Sequence, residues 1–164
     1  MKLYAYYFNN YWKDVGTVRS YRDANLDLLN RDSNIFLLNP EWRIHTVESN
    51  EPPLFVDESA AVHQCLLSEG CENYGTVEKS VVYSGVKIGK GARIKKAVIL
   101  PNTIVEENTW IENAVIGSQT VVKNGVIIVS KDPNTHLMVV GNNVTVDPAL
   151  QDVGSKTNVL AVSS

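Results

Sequence analysis

Aliphatic residues recur every seventeenth position through the middle of this chain, and no other property restricts its fold as tightly. Ile88, Val105 and Val122 stand 17 apart. Ile94, Ile111 and Ile128 keep the same step, as do Val81, Val98 and Val115 and the set Val82, Ile99 and Ile116. Polar positions obey it too: Gly85, Asn102 and Gln119 fall in line, and so do Gly91, Asn108 and Gly125. A fixed period of this length marks a repeat architecture, in which each unit buries its apolar side against the next. Four aliphatic columns in phase predict four inward positions per repeat, stacked coil on coil.

Within one period the inward marks Val82, Ile88, Ile94 and Ile99 are separated by 6, 6 and 5 residues. Such steps are too short for a helix with its connections and suit a short strand followed by a tight bend. The marks are Val and Ile, as expected of β-branched side chains on a buried pleated surface. Between them lie Gly85, Gly89, Gly91, Asn102, Asn108, Gly117, Asn124 and Gly125, residue types that tolerate the positive φ of a sharp corner. Three strands and three corners per turn describe a triangular prism. With parallel strands about 4.8 Å apart, four or five coils make a rod roughly 20–25 Å long. A β-sandwich with chance spacing is the competing architecture, and four columns in phase argue against it. General rules favour right-handed crossovers; spacing alone leaves the hand of the coil open.

The run Val86–Ala92 resembles the hexapeptide motif of left-handed parallel β-helices, which implies the left hand. A longer set, Leu67–Cys71 followed by Gly75–Glu78 and Ser80–Val82, is similar to the C-terminal domain of the glucose-1-phosphate adenylyltransferase family. The fold class expected is therefore all-β, a left-handed parallel β-helix of hexapeptide repeats, with a small N-terminal strand-helix remnant of an α/β domain. The expected segments are 1–38 (catalytic-domain remnant), 39–56 (connector), 57–147 (β-helix) and 148–164 (tail).

Composition narrows the function classes. Hydrophobic residues make up 44% of the 164, charged residues 20%, and the net charge is −3, a balance that suits a packed core and exerts no pull on nucleic acid or anionic membrane. No apolar stretch approaches the length of a membrane-spanning helix. Cys65 and Cys71 match no metal-binding pattern and read as small buried thiols, for which a reducing cytoplasm is the natural setting.

At the start, Lys2–Phe8 is a β-prone aromatic run, expected to be a strand with no upstream neighbours, as though cut from something larger. Thr17 is the expected N-cap of an amphipathic helix from Val18 to Leu29, ending near Asn30, with Val18, Tyr21, Leu28 and Leu29 on its apolar side. Trp12–Thr17 resembles the last motif of the nucleotidyltransferase domain of the same family, which implies that Asp14 helps hold a Mg²⁺ beside substrate phosphates in a complete enzyme. The other reading of Asp14 is a residue that terminates a strand and assists the start of the following helix. No Gly-rich phosphate loop occurs in the chain. Catalytic residues and cofactors are accordingly expected to be none for this chain alone, with Mg²⁺ implied only for the complete enzyme. Trp42, Ile44 and Thr46 alternate with Arg43, His45 and Val47 between prolines, which predicts one extended connector segment. The step from Cys71 to Val86 is 15, so the first coil is expected to be short, and 131–135 reads as a turn-rich insertion.

Lys87, Lys90, Arg93, Lys95 and Lys96 place five cations in ten residues. They read either as a solvated face or, as the resemblance implies, as a patch for a phosphate or sugar-phosphate effector. Glu106, Glu107 and Glu112 on the next coil stand near Lys90 and Lys95 in register. Ser118 and Gln119 occupy a corner where some family members carry a lysine. Trp110 falls over Arg93 by the repeat and reads as an interface residue, in keeping with homo- or hetero-oligomers through this domain. His45, His63 and His136 are the three histidines. Only His63 lies in a coil, where a hexapeptide acyltransferase, the rival activity, would place its general base. The expected function is the regulatory and assembly part of a glucose-1-phosphate adenylyltransferase, cytoplasmic and inactive alone. A free-standing binding or assembly module is the alternative.

Overall fold

The computed structural model describes residues 2–30, 35, 41, 45, 50–130, 136–148 and 159–161. Its centre is the expected solenoid, a left-handed parallel β-helix. The first coil comprises β1 (Phe55–Val56), β2 (Ala61–His63) and β3 (Leu66–Leu67), and the second β4 (Glu72–Asn73), β5 (Thr76–Glu78) and β6 (Val81–Val82). The third has β7 (Lys87–Ile88), β8 (Arg93–Lys95) and β9 (Val98–Ile99), and the fourth β10 (Ile104–Val105), β11 (Trp110–Glu112) and β12 (Ala114–Ile116). The fifth has β13 (Val121–Val122), β14 (Ile127–Val129) and β15 (Met138–Val140); β16 (Thr145–Val146) and β17 (Val159–Ala161) follow. Parallel pairing from coil to coil makes three faces, with strand orders β1-β4-β7-β10-β13-β16, β2-β5-β8-β11-β14 and β3-β6-β9-β12-β15-β17, called here the first, second and third.

Register confirms the columns. Val105 pairs with Ile88 on one side and Val122 on the other, and Ile111 lies between Ile94 and Ile128. Ile99 lies between Val82 and Ile116. All nine are essentially buried. Burying such a side chain is worth about 1.5–3 kcal/mol, and the third, fourth and fifth coils each add one to all three columns.

Corners form three positive-φ columns: Gly70, Gly85, Asn102, Gln119 and Asn143; Gly91, Asn108 and Gly125; and Gln64, Lys79, Lys96 and Asn113. The last column, with no glycine, was not legible as a corner, because lysine is not a turn-forming type. At Gly85 the requirement is steric as well, since a Cβ there would lie 2.3 Å from Asn102 Oδ1 on the next coil. Gly89 and Gly117 sit at corners without positive φ and are needed for close approach: an added Cβ would lie 2.7 Å from Glu107 N and 2.3 Å from Gly141 O, respectively.

The shortening falls in the second coil, not the first as expected, since Phe55 pairs with Glu72 at the full step of 17, and it has a local cause. Glu72 pairs with Lys87, a step of 15, whereas Thr76 pairs with Arg93, a step of 17, so the two missing residues fall between Asn73 and Thr76. Asn73 is fully buried in an otherwise aliphatic column, and its Oδ1 accepts from Gly75 N at 3.0 Å. That side-chain bond closes the turn early. Gly75 tolerates the result because a Cβ there would stand 2.6 Å from Ala92 O.

Thr17 caps helix α1 (Val18–Asp27) as expected, through a reciprocal pair of bonds with Ser20. The helix ends at Leu28, close to the expected Asn30. It lies against the third face, where Tyr21 joins Val98, Val115, Leu137, Tyr83, Leu100 and Val139 in a second apolar cluster outside the prism. Tyr21 packs on the expected side, Val18 is exposed against expectation, and the buried residue of that side is the polar Asn25. Asn25 is satisfied because Tyr83 Oη donates to its Oδ1 at 2.9 Å.

The expected strand at Lys2–Phe8 does not form. Those residues join none of the three sheets, and Leu3, Tyr4, Tyr6 and Tyr7 are all more than 80% exposed. β-propensity without a neighbouring strand leaves backbone groups unpaired, and water serves them as well. Trp42, Ile44 and Thr46 of the expected connector, and the insertion at 131–135, lie outside the described residues. The insertion's effect is visible in register, since Ala114 pairs with Met138, a step of 24. In the tail, β17 extends the third face beside β15.

Two outcomes follow. Ile111→Ala should lower unfolding free energy by about 2–5 kcal/mol, read from urea midpoints. Burial first, and then the Tyr21 hydroxyl, push the Tyr83 phenol up to about 12. A folded value above the unfolded one near 10 means the contribution is intact below pH 10 and lost as pH rises toward 12. Tyr83→Phe should flatten that part of the stability profile.

Candidate functional site

The five cations do not gather into one patch. Lys87 projects from the first face, Arg93 and Lys95 stand on β8 of the second, Lys90 lies at the corner between these faces, and Lys96 at the next corner. Strand alternation and the triangular section spread a charge run that is continuous in sequence. Two members are also neutralised by the preceding coil: Lys87 Nζ lies 2.8 Å from Glu72 Oε1, and Lys95 Nζ lies 3.3 Å from Glu78 Oε2. Glu106 serves Lys123 at 2.7 Å instead, and its other oxygen accepts from Asn124 N at 3.0 Å. Lys90, Arg93 and Lys96 form no ion pair with an acid among the described residues. The acids Glu72 and Glu78 were findable, since a step of 15 back from Lys87 and 17 back from Lys95 reaches them.

These pairs tune the carboxylates. The Lys87 ammonium holds Glu72 below the ordinary carboxylate range and is itself raised by Glu72. Lys123, followed by the Asn124 N–H, lowers Glu106. Both pairs border a shallow groove of about 390 Å³ on the first face, lined by Tyr74, Lys87, Gly89, Ile104, Glu106 and Glu107 among others. On the second face, Thr76, Glu78, Arg93, Lys95, Trp110 and Glu112 line a smaller depression of about 240 Å³. Trp110 is Cα-paired with Arg93, as the repeat predicts, and with Ile127 on the other side. Trp110 and Ile127 are 45% and 53% exposed, so this face carries an apolar stripe beside its charges.

Asp14 sits on an exposed turn, where its Oδ1 accepts from Gly16 N at 3.1 Å just before the helix cap. Its other oxygen has no partner among the described residues. It suits one ligand position of a Mg²⁺, which takes one or two carboxylates together with phosphates and water. It makes no site by itself, since no group of three or more His, Cys, Asp or Glu among the described residues could hold a metal. His63 is exposed on β2, where it pairs in register with Glu78, and His45 and His136 are exposed elsewhere. The thiols of Cys65 and Cys71 are both free and both raised by burial, which disfavours the nucleophilic thiolate. Ser118 and Gln119 occupy a corner, Gln119 with φ of 56°.

Comparison with known proteins bears on the prism directly. The model of the GlmU-like, C-terminal hexapeptide family matches residues 52–149, which embraces every coil from β1 to β16. The chain belongs to that hexapeptide family.

Curated relatives are named glucose-1-phosphate adenylyltransferase. One from Bacillus thuringiensis (strain Al Hakam) is 42% identical over 127 residues, 77% of this chain and 34% of its own length. Another, from Bacillus cytotoxicus, is 38% identical over 143 residues, 87% of this chain and 38% of its own. A third, from Bacillus anthracis, is 42% identical over 127 residues, again 77% of this chain and 34% of its own. The chain thus spans a little over a third of the curated relatives it matches. Among the described residues of this hexapeptide chain, no helix is long and apolar enough to cross a membrane.

Stabilisation from a depressed carboxylate is present above its ordinary value and is lost as pH falls through the folded one. By carbon-detected titration, Lys123→Met should move the Glu106 carboxyl up toward its ordinary value and leave Glu72 in place. Lys87→Met should do the converse.

Proposed function

We propose that this chain is the C-terminal assembly and regulatory part of a glucose-1-phosphate adenylyltransferase. Such an enzyme makes ADP-glucose and pyrophosphate from ATP and glucose 1-phosphate, for glycogen or starch synthesis, in the cytoplasm. The observation that carries the reading is identity of 42% to proteins of that name over 127 residues, confined to 34% of their length. In this reading the prism binds neighbouring subunits through the Trp110 and Ile127 stripe of the second face. Desolvation of such an exposed Trp is a usual anchor of subunit contact. Lys90, Arg93 and Lys96, which form no ion pair among the described residues, are the members of the basic set left to meet a phosphate or sugar-phosphate effector.

Chemistry belongs to the remainder of the enzyme. A bound Mg²⁺ supplies charge neutralisation at the reacting phosphates. Asp14 contributes one oxygen ligand toward it, and the Gly16 N–H holds the Asp14 carboxylate in its turn. Nothing else among the described residues of this chain is assigned to nucleotide or sugar.

The purified chain, given ATP, Mg²⁺ and glucose 1-phosphate, should yield no ADP-glucose, and sedimentation should show an oligomer that Trp110→Lys shifts toward monomer. ADP-glucose formation would overturn the inactivity, and a monomeric wild type would overturn the assembly role. Acyl transfer from an acyl-coenzyme A that is lost in His63→Ala would establish the rival acyltransferase activity.

A further inference from the structure

Asp14 is tied to the β-helix by a continuous set of contacts that runs through helix α1, although 99 positions separate it from the farthest anchor, Asn113. At the prism end, Arg22 Nη1 donates to Asn113 Oδ1, and Tyr83 Oη donates to Asn25 Oδ1 at 2.9 Å. Asn113 is 3% exposed and Asn25 7%, so each bond has one buried end, where loss of the partner leaves a buried polar group unpaired. Asn113 is also the positive-φ residue of its corner, with φ of 54°, and its Nδ2 donates to His136 O at 2.9 Å. It is therefore held from three directions.

At the other end of the helix, Asp27 gathers the segment that leads to Asp14. Its Oδ2 accepts from Tyr11 Oη at 2.9 Å and from Lys13 Nζ at 2.5 Å. The residues before Asp14 thus run back along the helix and are fastened at its far end, while the Asp14 turn is fastened at the near end through Gly16 and the Thr17 cap. Two fixed ends and a rigid helix between them leave the Asp14 turn little freedom relative to the coils.

We infer that α1 is a strut through which the third face of the β-helix sets the position of the Asp14 carboxylate, with Asn113, Arg22 and Asp27 as its positioning residues. The inference rests on the reading of Asp14 as a metal ligand for its purpose, and on the contacts alone for its geometry. It supplies a physical route from the prism to the metal site: a shift of the Asn113 corner moves the helix as a body, and the helix carries Asp14.

Backbone ¹⁵N order parameters of the whole chain test it. Rigid backbone gives values near 0.85 and flexible backbone values below about 0.6. In the wild type, residues 11–27 should be rigid. Asn113→Gly keeps the corner's backbone conformation and deletes the latch. It should drop residues 11–17 below about 0.6 while residues 86–112 stay rigid. Asn113→Asp retains the Oδ1 acceptor for Arg22 and should restore rigidity. Asp27→Asn should loosen residues 11–14 and leave 18–26 unchanged. A flexible 11–17 segment in the wild type, an unchanged segment in Asn113→Gly, or equal loss across the coils in both Asn113 variants would each overturn the strut. Mn²⁺ broadening at Asp14 reads the metal assignment separately: rigid 11–17 without broadening would sink that assignment and sustain the strut.

Discussion

Every other feature of this molecule depends on aliphatic side chains being stacked at the interval of parallel strands. A strand of two or three residues has no stability alone; it persists because the coils above and below complete its hydrogen bonds and cover its inward side chain. Ile88, Val105 and Val122 illustrate the dependence, since Val105 is covered by Ile88 on one side and Val122 on the other, and all three are buried. The interior is accordingly lined by buried aliphatic side chains along its columns.

Departures from the repeat each have a local physical cause. The buried Asn73 closes a corner two residues early by bonding to Gly75 N, and the chain regains the 17-residue step from Thr76 onward. The insertion before Met138 lengthens one coil to a step of 24, yet Val139 and Val140 return to the column beside Val115 and Ile116. Inward packing thus outlasts changes in corner length, because an extra or missing residue at a corner costs far less than a misplaced Ile or Val inside.

The outer faces are differentiated by what covers them. Helix α1 occupies the third, where Val98 and Val115 point outward and are nonetheless buried. The second carries Trp110 and Ile127 in the open, and the first carries paired charges around a shallow groove. The polar anchoring of α1 through Asn25 and Asn113 gives the third face a directional hold that apolar packing alone would not supply.

Periodicity by itself determined the solenoid, its three-strand coil, the inward columns, the short coil near Cys71 and the neighbour of Trp110, because stacking register is a matter of counting. The Thr17 cap was equally local and equally legible. Tertiary structure alone decided which cations lie together: the run from Lys87 to Lys96 crosses two corners, and each corner turns the side chains that follow onto another face. It also decided that Lys2–Phe8 is no strand, since pairing needs a partner that propensity cannot provide. The roles of Arg22, Asn25, Tyr83 and Asn113 were invisible for the same kind of reason. Their bonds join positions 58 and 91 residues apart, and nothing in either stretch specifies the other until the helix lies down on the prism.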